Sequence, residues 1–280
     1  MLNVTPDSFS DGGEAFTADA AFAKAERLLA EGADVIDVGG ASSRPAGPAY
    51  GAGAAKVSVA EELRRVLPVI ARIHRELHAR VSIDTVNAEV AEAAIEAGAS
   101  IVNDVSGGAS EALLRVAARH GVELVLMHNR GDGGLTGSQA SYADVVQEVA
   151  GELRDAVARA RAAGVEAGRV WLDPGIGFAK HAEHSFALLA ALPRLVALGH
   201  PVLVGPSRKA FIAAAERAAT GASSGPGERL GGTCAAVASA VFSGARAVRV
   251  HDVRASRQAV SVALAIRAIR DAKPAQEALC

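Results

Sequence analysis

The sequence predicts a single-domain α/β fold, a (β/α)8 TIM barrel with eight parallel strands. Its 280 residues suit one large domain, since a barrel of this type needs about 250 residues. Short apolar runs alternate eight times with longer Ala-rich amphipathic segments. No Gly-rich dinucleotide loop follows the first run, which disfavours an open doubly wound sheet, the alternative fold. We therefore expect one domain over 1–280, with 273–280 as a frayed tail.

The strands are predicted from short runs rich in β-branched residues, such as Val35-Ile36-Asp37-Val38 and Val81-Ser82-Ile83-Asp84. Their length is typical of strands that are buried on both faces. The eight predicted strands cover 1–3, 35–38, 81–84, 101–104, 123–128, 170–173, 201–205 and 247–251.

The helix limits follow from capping signals. Thr17 is a plausible N-cap, and Ser58 followed by Glu61 has the spacing of a capping box. Gly32 and Gly98 indicate helix ends. The predicted helices cover 17–31, 58–78, 87–98, 110–120, 141–163, 183–198, 231–243 and 256–271, with another after Arg208.

Composition argues against several classes of partner. The formal net charge is −2 and no basic stripe is present, so we expect no nucleic-acid partner. No apolar stretch reaches the ~18 residues of a membrane span, and no signal peptide is recognisable. The cysteines, Cys234 and Cys280, are few and distant, which is typical of reduced thiols in the cytoplasm. We therefore expect a cytoplasmic protein without a membrane partner.

Polar side chains follow the apolar run of nearly every predicted strand. A single one is more often a helix cap or turn residue, but barrel active sites lie at the carboxyl ends of the strands, where all of these would converge. Carboxylates and amides suit a polar ring with N–H donors, and Arg, Lys and His suit phosphate. The pattern predicts a ligand with a flat polar ring and a phosphate group, and a sugar phosphate fits nearly as well. The strand-end residues are Asn3, Asp84, Asn103, Asp104, His128, Asp173, Arg249, His251 and Asp252, with Ser42-Ser43-Arg44 and Ser207-Arg208-Lys209 in the loops after the second and seventh strands.

These motifs resemble those of the dihydropteroate synthase family. Two long segments, 3–13 and 37–45, are similar to its first two signatures. Six shorter motifs follow in the family's order, and the match spans Asn3 to about Ala265. The shorter motifs are Ser82-Ile83-Asp84-Thr85, Val102-Asn103-Asp104, Leu126-Met127-His128, the run 172–178, the run 204–209 and Arg249-Val250-His251-Asp252-Val253.

The resemblance implies a transferase of folate biosynthesis that is a sulfonamide target. A dihydropterin methyl diphosphate loses diphosphate, and the amine of p-aminobenzoate attacks the methylene carbon to give dihydropteroate. Magnesium accompanies the diphosphate, and the family commonly forms dimers through the last helices, so we expect a homodimer. Asp84, Asp173, Lys209 and Arg249 are the implied catalytic residues.

The resemblance also assigns binding residues. Asp84, Asn103, Asp173 and Lys209 would bond the pterin ring, in a pocket lined by Val105, Met127, Phe178 and Gly205. Asn3, Arg249 and His251 would hold the diphosphate, with Asn3 as the residue near magnesium. Ser43, Arg44 and Pro45 would help to close the p-aminobenzoate site.

Some features depart from the family or favour plainer roles. Ala41 stands where Glu is usual, and the loop 46–56 is longer, so p-aminobenzoate and sulfonamide selection is where we expect a difference. Asp104 and Thr85 fit helix caps, His128 fits a packed residue, and Asp252 would orient Arg249 or His251. The alternative functions are a non-catalytic homologue, a corrinoid-serving pterin methyltransferase domain and a metal-dependent sugar-phosphate aldolase.

Overall fold

The computed structural model describes residues 1–4, 18–41, 57–131 and 140–272. In this part of the chain eight parallel strands alternate with helices, as predicted for a (β/α)8 barrel. The strands are β1 (Leu2–Asn3), β2 (Val35–Gly39), β3 (Arg80–Asp84), β4 (Ile101–Asp104), β5 (Glu123–Met127), β6 (Val170–Asp173), β7 (Leu203–Val204) and β8 (Ala247–Val248).

Strands β1 to β6 pair in chain order as one parallel sheet, and β7 pairs with β8. A bridge between Leu172 and Val202 joins the two sets. The Met1 amine donates to the Val250 carbonyl at 2.8 Å, which brings the first strand beside the end of the last. The two sets of strands therefore form one closed wall, and all carboxyl ends of the strands lie at the same end of the barrel.

The helices surround this wall and are amphipathic, with small apolar residues buried against it. Ser110 and Asp144 accept hydrogen bonds from backbone N–H groups in the first turns of α4 and α5, respectively, and so fix where these helices begin. The helices are α1 (Ala18–Ala30), α2 (Val59–Arg72), α3 (Ala88–Glu96), α4 (Glu111–His120), α5 (Val145–Ala162), α6 (Ala182–Ala190), α7 (Leu192–Val196), α8 (Ala210–Thr220), α9 (Leu230–Phe242) and α10 (Val253–Ala272).

Several predicted limits were wrong. The helix predicted over 183–198 is two helices, because Pro193 lacks the N–H that a continuous helix needs and instead stands in the first turn of α7. The helix from Ser58 changes to π-helical geometry over Ile73–Leu77. Helix α5 begins after Asp144 rather than at 141, since Asp144 caps it.

The last two strands are shorter than predicted. Pro201 cannot donate to a ladder, and β7 begins only at Leu203. Strand β8 ends at Val248, so Arg249, Val250 and His251 lie in the segment that leads into α10. That segment, rather than a strand, carries two of the predicted site residues.

Candidate active site

The carboxyl ends of the first four strands place their polar residues in one row. Asn3 is in register with Gly39, Gly39 with Asp84, and Asp84 with Asn103. Asp84 and Asn103 are buried, and Asn3 is half-buried. A carboxylate and two amides therefore line one side of the barrel mouth, as the strand-end pattern predicted.

Arg249 joins two carboxylates across this mouth. Its Nε donates to Asp37 Oδ2 and its Nη2 to Asp84 Oδ2, both at 2.5 Å. The ion pairs are largely shielded from solvent, so they are stronger than surface pairs. A guanidinium has five N–H donors, and these two bonds leave others for a ligand. The residues predicted for the diphosphate and for the ring thus touch each other.

Asp37 was not singled out from the sequence. It lies inside β2, in register with Ser82 of β3, whereas the predicted site residues lie at strand ends. Period-two alternation was the available signal, because Asp37 lies two residues before Gly39 and on the same face of the strand. A carboxylate on the inner face of a barrel strand needs a partner, and Arg249 provides it.

Asp84 shares one guanidinium with Asp37 and is buried, and this affects the ionisation of Asp84. Burial raises the pKa of the Asp84 carboxyl; Arg249 opposes the shift, while nearby Asp37 and Glu62 add to it. Asp84 therefore holds a proton more readily than an ordinary aspartate, and it can act as donor or acceptor towards a heterocycle.

Asp173 and Lys209 face each other on the other side of the mouth. The Asp173 carboxylate accepts the Gly175 N–H at 2.7 Å, and Lys209 Nζ donates to the Ile176 carbonyl. Burial raises the pKa of Asp173, with Lys209 as the main opposing charge. Burial lowers the pKa of Lys209 to about 8, and Asp173 opposes that shift.

The predicted pocket residues lie around these charges. Met127 is in register with Asp173, and the Phe178 ring lies 4.5 Å from Lys209 Nζ. Gly205 faces the Cβ of Arg249, and a Cβ added at Gly205 would make only ordinary van der Waals contacts there. The Val105 carbonyl accepts from Asn129 at 3.2 Å. The structure therefore places all four residues at the carboxyl ends of β4, β5, β6 and β7.

His251 lies beside Ser207 rather than beside Arg249. The Ser207 hydroxyl is 2.9 Å from His251 Nδ1 and also accepts the His251 backbone N–H. Burial, together with the positive charges of the Met1 amine, Arg208 and Arg249, lowers the pKa of His251 to about 3. The imidazole is therefore neutral at physiological pH, and it can offer a phosphate a hydrogen bond but no charge.

Four plainer interpretations were made from the sequence. Asp104 caps the turn after β4 by accepting from Ser106 and Gly108, and the Thr85 hydroxyl accepts the Asn87 N–H. His128 is packed among buried groups. The interpretation of His128 is confirmed. The helix-cap interpretation of Asp104 and Thr85 was wrong, because they bond the turns that precede the helices, whose N-caps are Ser110 and Asn87.

The expectation for Asp252 was wrong, because it pairs with Arg208 through two hydrogen bonds of 2.9 and 2.6 Å. Arg208 has φ +59°, and this pair, with the Thr233 hydroxyl bonded to its N–H, holds that strained backbone in place.

A second residue missed from the sequence is Lys180, a buried ammonium close to Asp173. It lies seven residues beyond the end of β6, outside the motif that ends at Phe178, so no strand-end rule points to it. Ser43, Arg44 and Pro45, together with the loop 46–56, lie outside the described residues.

A cavity lies at the other end of the barrel from the carboxyl ends of the strands. This cavity, of about 420 Å³, lies at the amino-terminal ends of the strands, where Val35, Arg80, Ile101 and Glu123 line it. Asp37, Asn103 and Arg249 line its inner end. Arg249 therefore borders both this cavity and the polar residues at the carboxyl ends of the strands.

Comparison with known proteins places this arrangement in a family. A family described as "pterin binding enzyme" matches residues 1–251. The dihydropteroate synthase of Synechocystis sp. is 45% identical over 267 residues, which cover 95% of this chain and 88% of the relative.

Two solved structures of Xanthomonas albilineans dihydropteroate synthase are also similar. The one with 4-aminobenzoic acid is 43% identical with a TM-score of 0.85, and covers 95% of this chain and 91% of the other. The one in complex with 7,8-dihydropteroate is 41% identical with a TM-score of 0.81, and covers 95% and 92%. The chain therefore belongs to the pterin-binding enzyme family, as a dihydropteroate synthase, a transferase of folate biosynthesis.

Proposed function

We propose that the barrel mouth divides the synthase reaction among its own side chains. The substrates are 6-hydroxymethyl-7,8-dihydropterin diphosphate and p-aminobenzoate, and the products are 7,8-dihydropteroate and diphosphate. The observation that carries the assignment is the set Asp84, Asn103, Asp173 and Lys209. Asp84 is in register with Asn103, Asp173 interacts with Lys209, and both carboxylates interact with Arg249. This donor and acceptor set matches the edge of a pterin ring, which presents both N–H groups and a carbonyl.

The bond changes follow from the substrates. The C–O bond between the pterin methylene and diphosphate breaks, and its electron pair leaves with diphosphate. The amine lone pair of p-aminobenzoate forms the new C–N bond, and the amine nitrogen gives up one proton to water or to the released diphosphate. Positive charge develops on the methylene and the ring, and the fixed carboxylates Asp84 and Asp173 stabilise it.

The diphosphate side of the mouth is formed by Arg249, His251 and Asn3. Arg249 offers the guanidinium N–H groups that the two carboxylates leave over, and neutral His251 offers a ring N–H. Ser207 next to His251 holds the ring in one orientation. These groups bind the leaving diphosphate without acting as nucleophiles, and the mechanism needs no covalent intermediate on the protein.

Magnesium fits the site as a companion of the diphosphate. The described residues contain no group of three or more His, Cys, Asp or Glu side chains that could hold a metal by themselves. Mg²⁺ typically keeps several waters and takes one or two protein oxygens plus substrate phosphates, so the Asn3 amide oxygen would suffice. When bound, the ion would neutralise charge on the departing diphosphate.

A turnover assay tests the proposal. The protein is incubated with pterin diphosphate, p-aminobenzoate and Mg²⁺, and dihydropteroate is detected by mass and absorbance. We expect product in this mixture and a large loss of rate when a chelator removes the metal. A folded protein that binds the pterin without forming product would instead be a non-catalytic homologue.

The oligomeric state and location are part of the proposal. Helix α10 exposes Val262, Leu264, Ile266 and Ile269, each at least half exposed. Val262, Ile266 and Ile269 follow the i, i+4, i+7 spacing of one helix face, so a second copy of the chain has an apolar row to cover.

Among the described residues, no helix has the length and apolar character of a membrane span. A free thiol at Cys234 supports the cytoplasm as the location.

A further inference from the structure

Lys180 is a buried cation that the proposed mechanism has not used. Its side chain is almost completely enclosed, with 2% of the residue exposed. Nζ lies 2.8 Å from His128 Nδ1, 3.0 Å from the Phe178 carbonyl and 3.5 Å from the His128 carbonyl. An ammonium has three donors, and here three acceptors surround it. Because burying a charge is costly, such a fully bonded lysine indicates a specific role.

The lysine is the inner end of a hydrogen-bonded chain. Since His128 Nδ1 receives the ammonium, the ring proton lies on Nε2, which donates to Glu152 Oε2 at 2.9 Å. Glu152 is bound in turn by Arg130. We call Glu152, His128 and Lys180 the lysine chain, and it runs from helix α5, past the end of β5, to the segment that follows β6.

The lysine chain fastens the loop 174–178 to the end of β5. The His128 N–H donates to the Asp173 carbonyl at 2.8 Å. Gly175 packs so closely on His128 that a Cβ added there would lie 1.9 Å from the His128 carbonyl oxygen. Lys180 holds the Phe178 carbonyl, while Lys209 holds the Ile176 carbonyl of the same loop. The loop is therefore fixed between two lysines.

Lys180 also contributes charge to the pterin side of the mouth. The positive charges of Lys209, Arg249 and Lys180 all oppose the rise that burial causes in the pKa of Asp173. Burial lowers the pKa of Lys180 to about 7, with Asp173 as the main opposing influence. The loss of this charge would leave the Asp173 carboxylate less well compensated.

We propose that Lys180 is a positioning residue for pterin binding, which holds the loop 174–178 so that Asp173, Phe178 and Lys209 keep the geometry of the pterin pocket. The inference rests on the proposed assignment of those residues to the pterin. Lys180 acts through them and through His128, and it is not itself assigned to the substrate. Side chains of this kind commonly change the affinity of a site when they are removed, because the contacting groups lose their fixed orientation.

The test compares Lys180→Met with the parent enzyme. Methionine has a similar length and no charge, so it keeps the packing and removes the three hydrogen bonds. We expect a folded protein whose KM for pterin diphosphate rises by about tenfold, while its KM for p-aminobenzoate changes less than about twofold. Circular dichroism and thermal unfolding check the fold. A folded variant with both KM values unchanged, or with both raised equally, overturns the inference.

A matched glutamate pair gives a second test if Lys180→Met does not fold. Glu148 and Glu152 both bind Arg130, but Glu152 alone of the two reaches His128. We expect Glu152→Gln to raise the KM for pterin diphosphate and Glu148→Gln to leave it at the parent value. Equal KM values in the two variants contradict the inference.

Lys209→Ala in the same assay distinguishes a wrong assignment of the pterin pocket from a wrong role for Lys180. If Lys209→Ala leaves the pterin KM unchanged, the assignment of the pterin pocket fails. If Lys209→Ala raises it and Lys180→Met does not, only the role of Lys180 fails.

Discussion

Arg249 is bonded to two buried carboxylates while it faces the predicted diphosphate site. Its removal would take away the proposed diphosphate ligand and leave Asp37 and Asp84 without their cation. An uncompensated buried charge typically costs about 3–5 kcal/mol of stability. Binding and folding therefore both depend on this one side chain, and a useful experiment has to measure them separately.

Arg249→Ala is expected to weaken diphosphate binding more than p-aminobenzoate binding and to lower the melting temperature. Calorimetry with diphosphate and Mg²⁺ measures the first effect, and thermal unfolding measures the second. Arg246→Ala is the control, since Arg246 is an exposed arginine just before β8, three residues from Arg249. Unchanged diphosphate affinity in folded Arg249→Ala would refute the role of this arginine.

Asp173→Asn and Lys209→Ala are expected to retain the fold and lose most activity. Each removes a charged group from the space where positive charge develops, and one such preorganised group is worth about 10²–10³ in rate. Steady-state turnover measures the loss. Asp155→Asn removes an exposed carboxylate on α5 and should turn over normally. Near-normal turnover in Asp173→Asn would remove that residue from the mechanism.

Residue identity was predictable where a motif or a strand end points to it. Asp84, Asn103 and Asp173 end apolar runs, and the structure places them at the mouth. Asp37 was missed because its partner, Arg249, lies 212 positions away, and no local pattern connects them. The Asp252–Arg208 pair was misassigned for the same reason, since the direction of a side chain depends on the folded backbone.

Among the elements, the turn after β6 is the most constrained part of the site. Gly175 has φ +64°, which L-residues reach only at a cost of about 1 kcal/mol, and its Cα faces the His128 carbonyl. The sequence indicated a close approach of backbone here from its glycines, but it did not indicate to what. The structure shows that the approach is to the end of β5.

Gly175→Ala should destabilise the protein by about 2–4 kcal/mol, because it adds backbone strain and a clash with an atom that cannot move aside. Gly151→Ala is the opposite case. Gly151 lies inside α5 with nothing within 4 Å of an added Cβ, so alanine should stabilise the helix by about 1 kcal/mol. Denaturant unfolding of the two variants measures both values. Equal stabilities would mean that the loop yields and that the packing against His128 is not tight.

The strand and helix pattern was predictable because every element repeats one unit, an apolar run and then an amphipathic helix. The residues at which strands and helices end were less predictable. The break at Pro193 and the late start of β7 after Pro201 could have been inferred from the missing proline N–H. The early end of β8 could not, because the path of Arg249 to His251 is set by contacts with Asp37, Asp84 and Ser207 on distant strands.

At the scale of the whole molecule, a net charge of −2 conceals a dense and nearly balanced cluster at one end of the barrel. Three buried or half-buried carboxylates, on Asp37, Asp84 and Asp173, stand against the cations of Lys180, Lys209 and Arg249. In such a balance a bound diphosphate would add negative charge, which the proposed Mg²⁺ would offset. The fold therefore determines the electrostatic preorganisation of the site, because it brings these charges together, and the overall composition does not reveal it.

An uncharged surface on α10 predicts how the protein assembles. Helix α10 packs on α9 with one face. On its exposed side, Val262, Ile266 and Ile269 form an apolar row. We expect a dimer at about 10 µM by light scattering, with this row at the interface, since contiguous exposed apolar surface commonly marks a contact between proteins.

Ile266→Glu with Ile269→Glu should convert the dimer to a folded monomer, because two charges cannot be buried there without partners. Ala268→Glu is the matched control. Ala268 is also exposed, and two residues of rotation, about 200°, put it on the other side of the helix from Ile266. It should leave the dimer intact. A parent protein that scatters as a monomer, or a double variant that remains dimeric, would show that this row is not the interface.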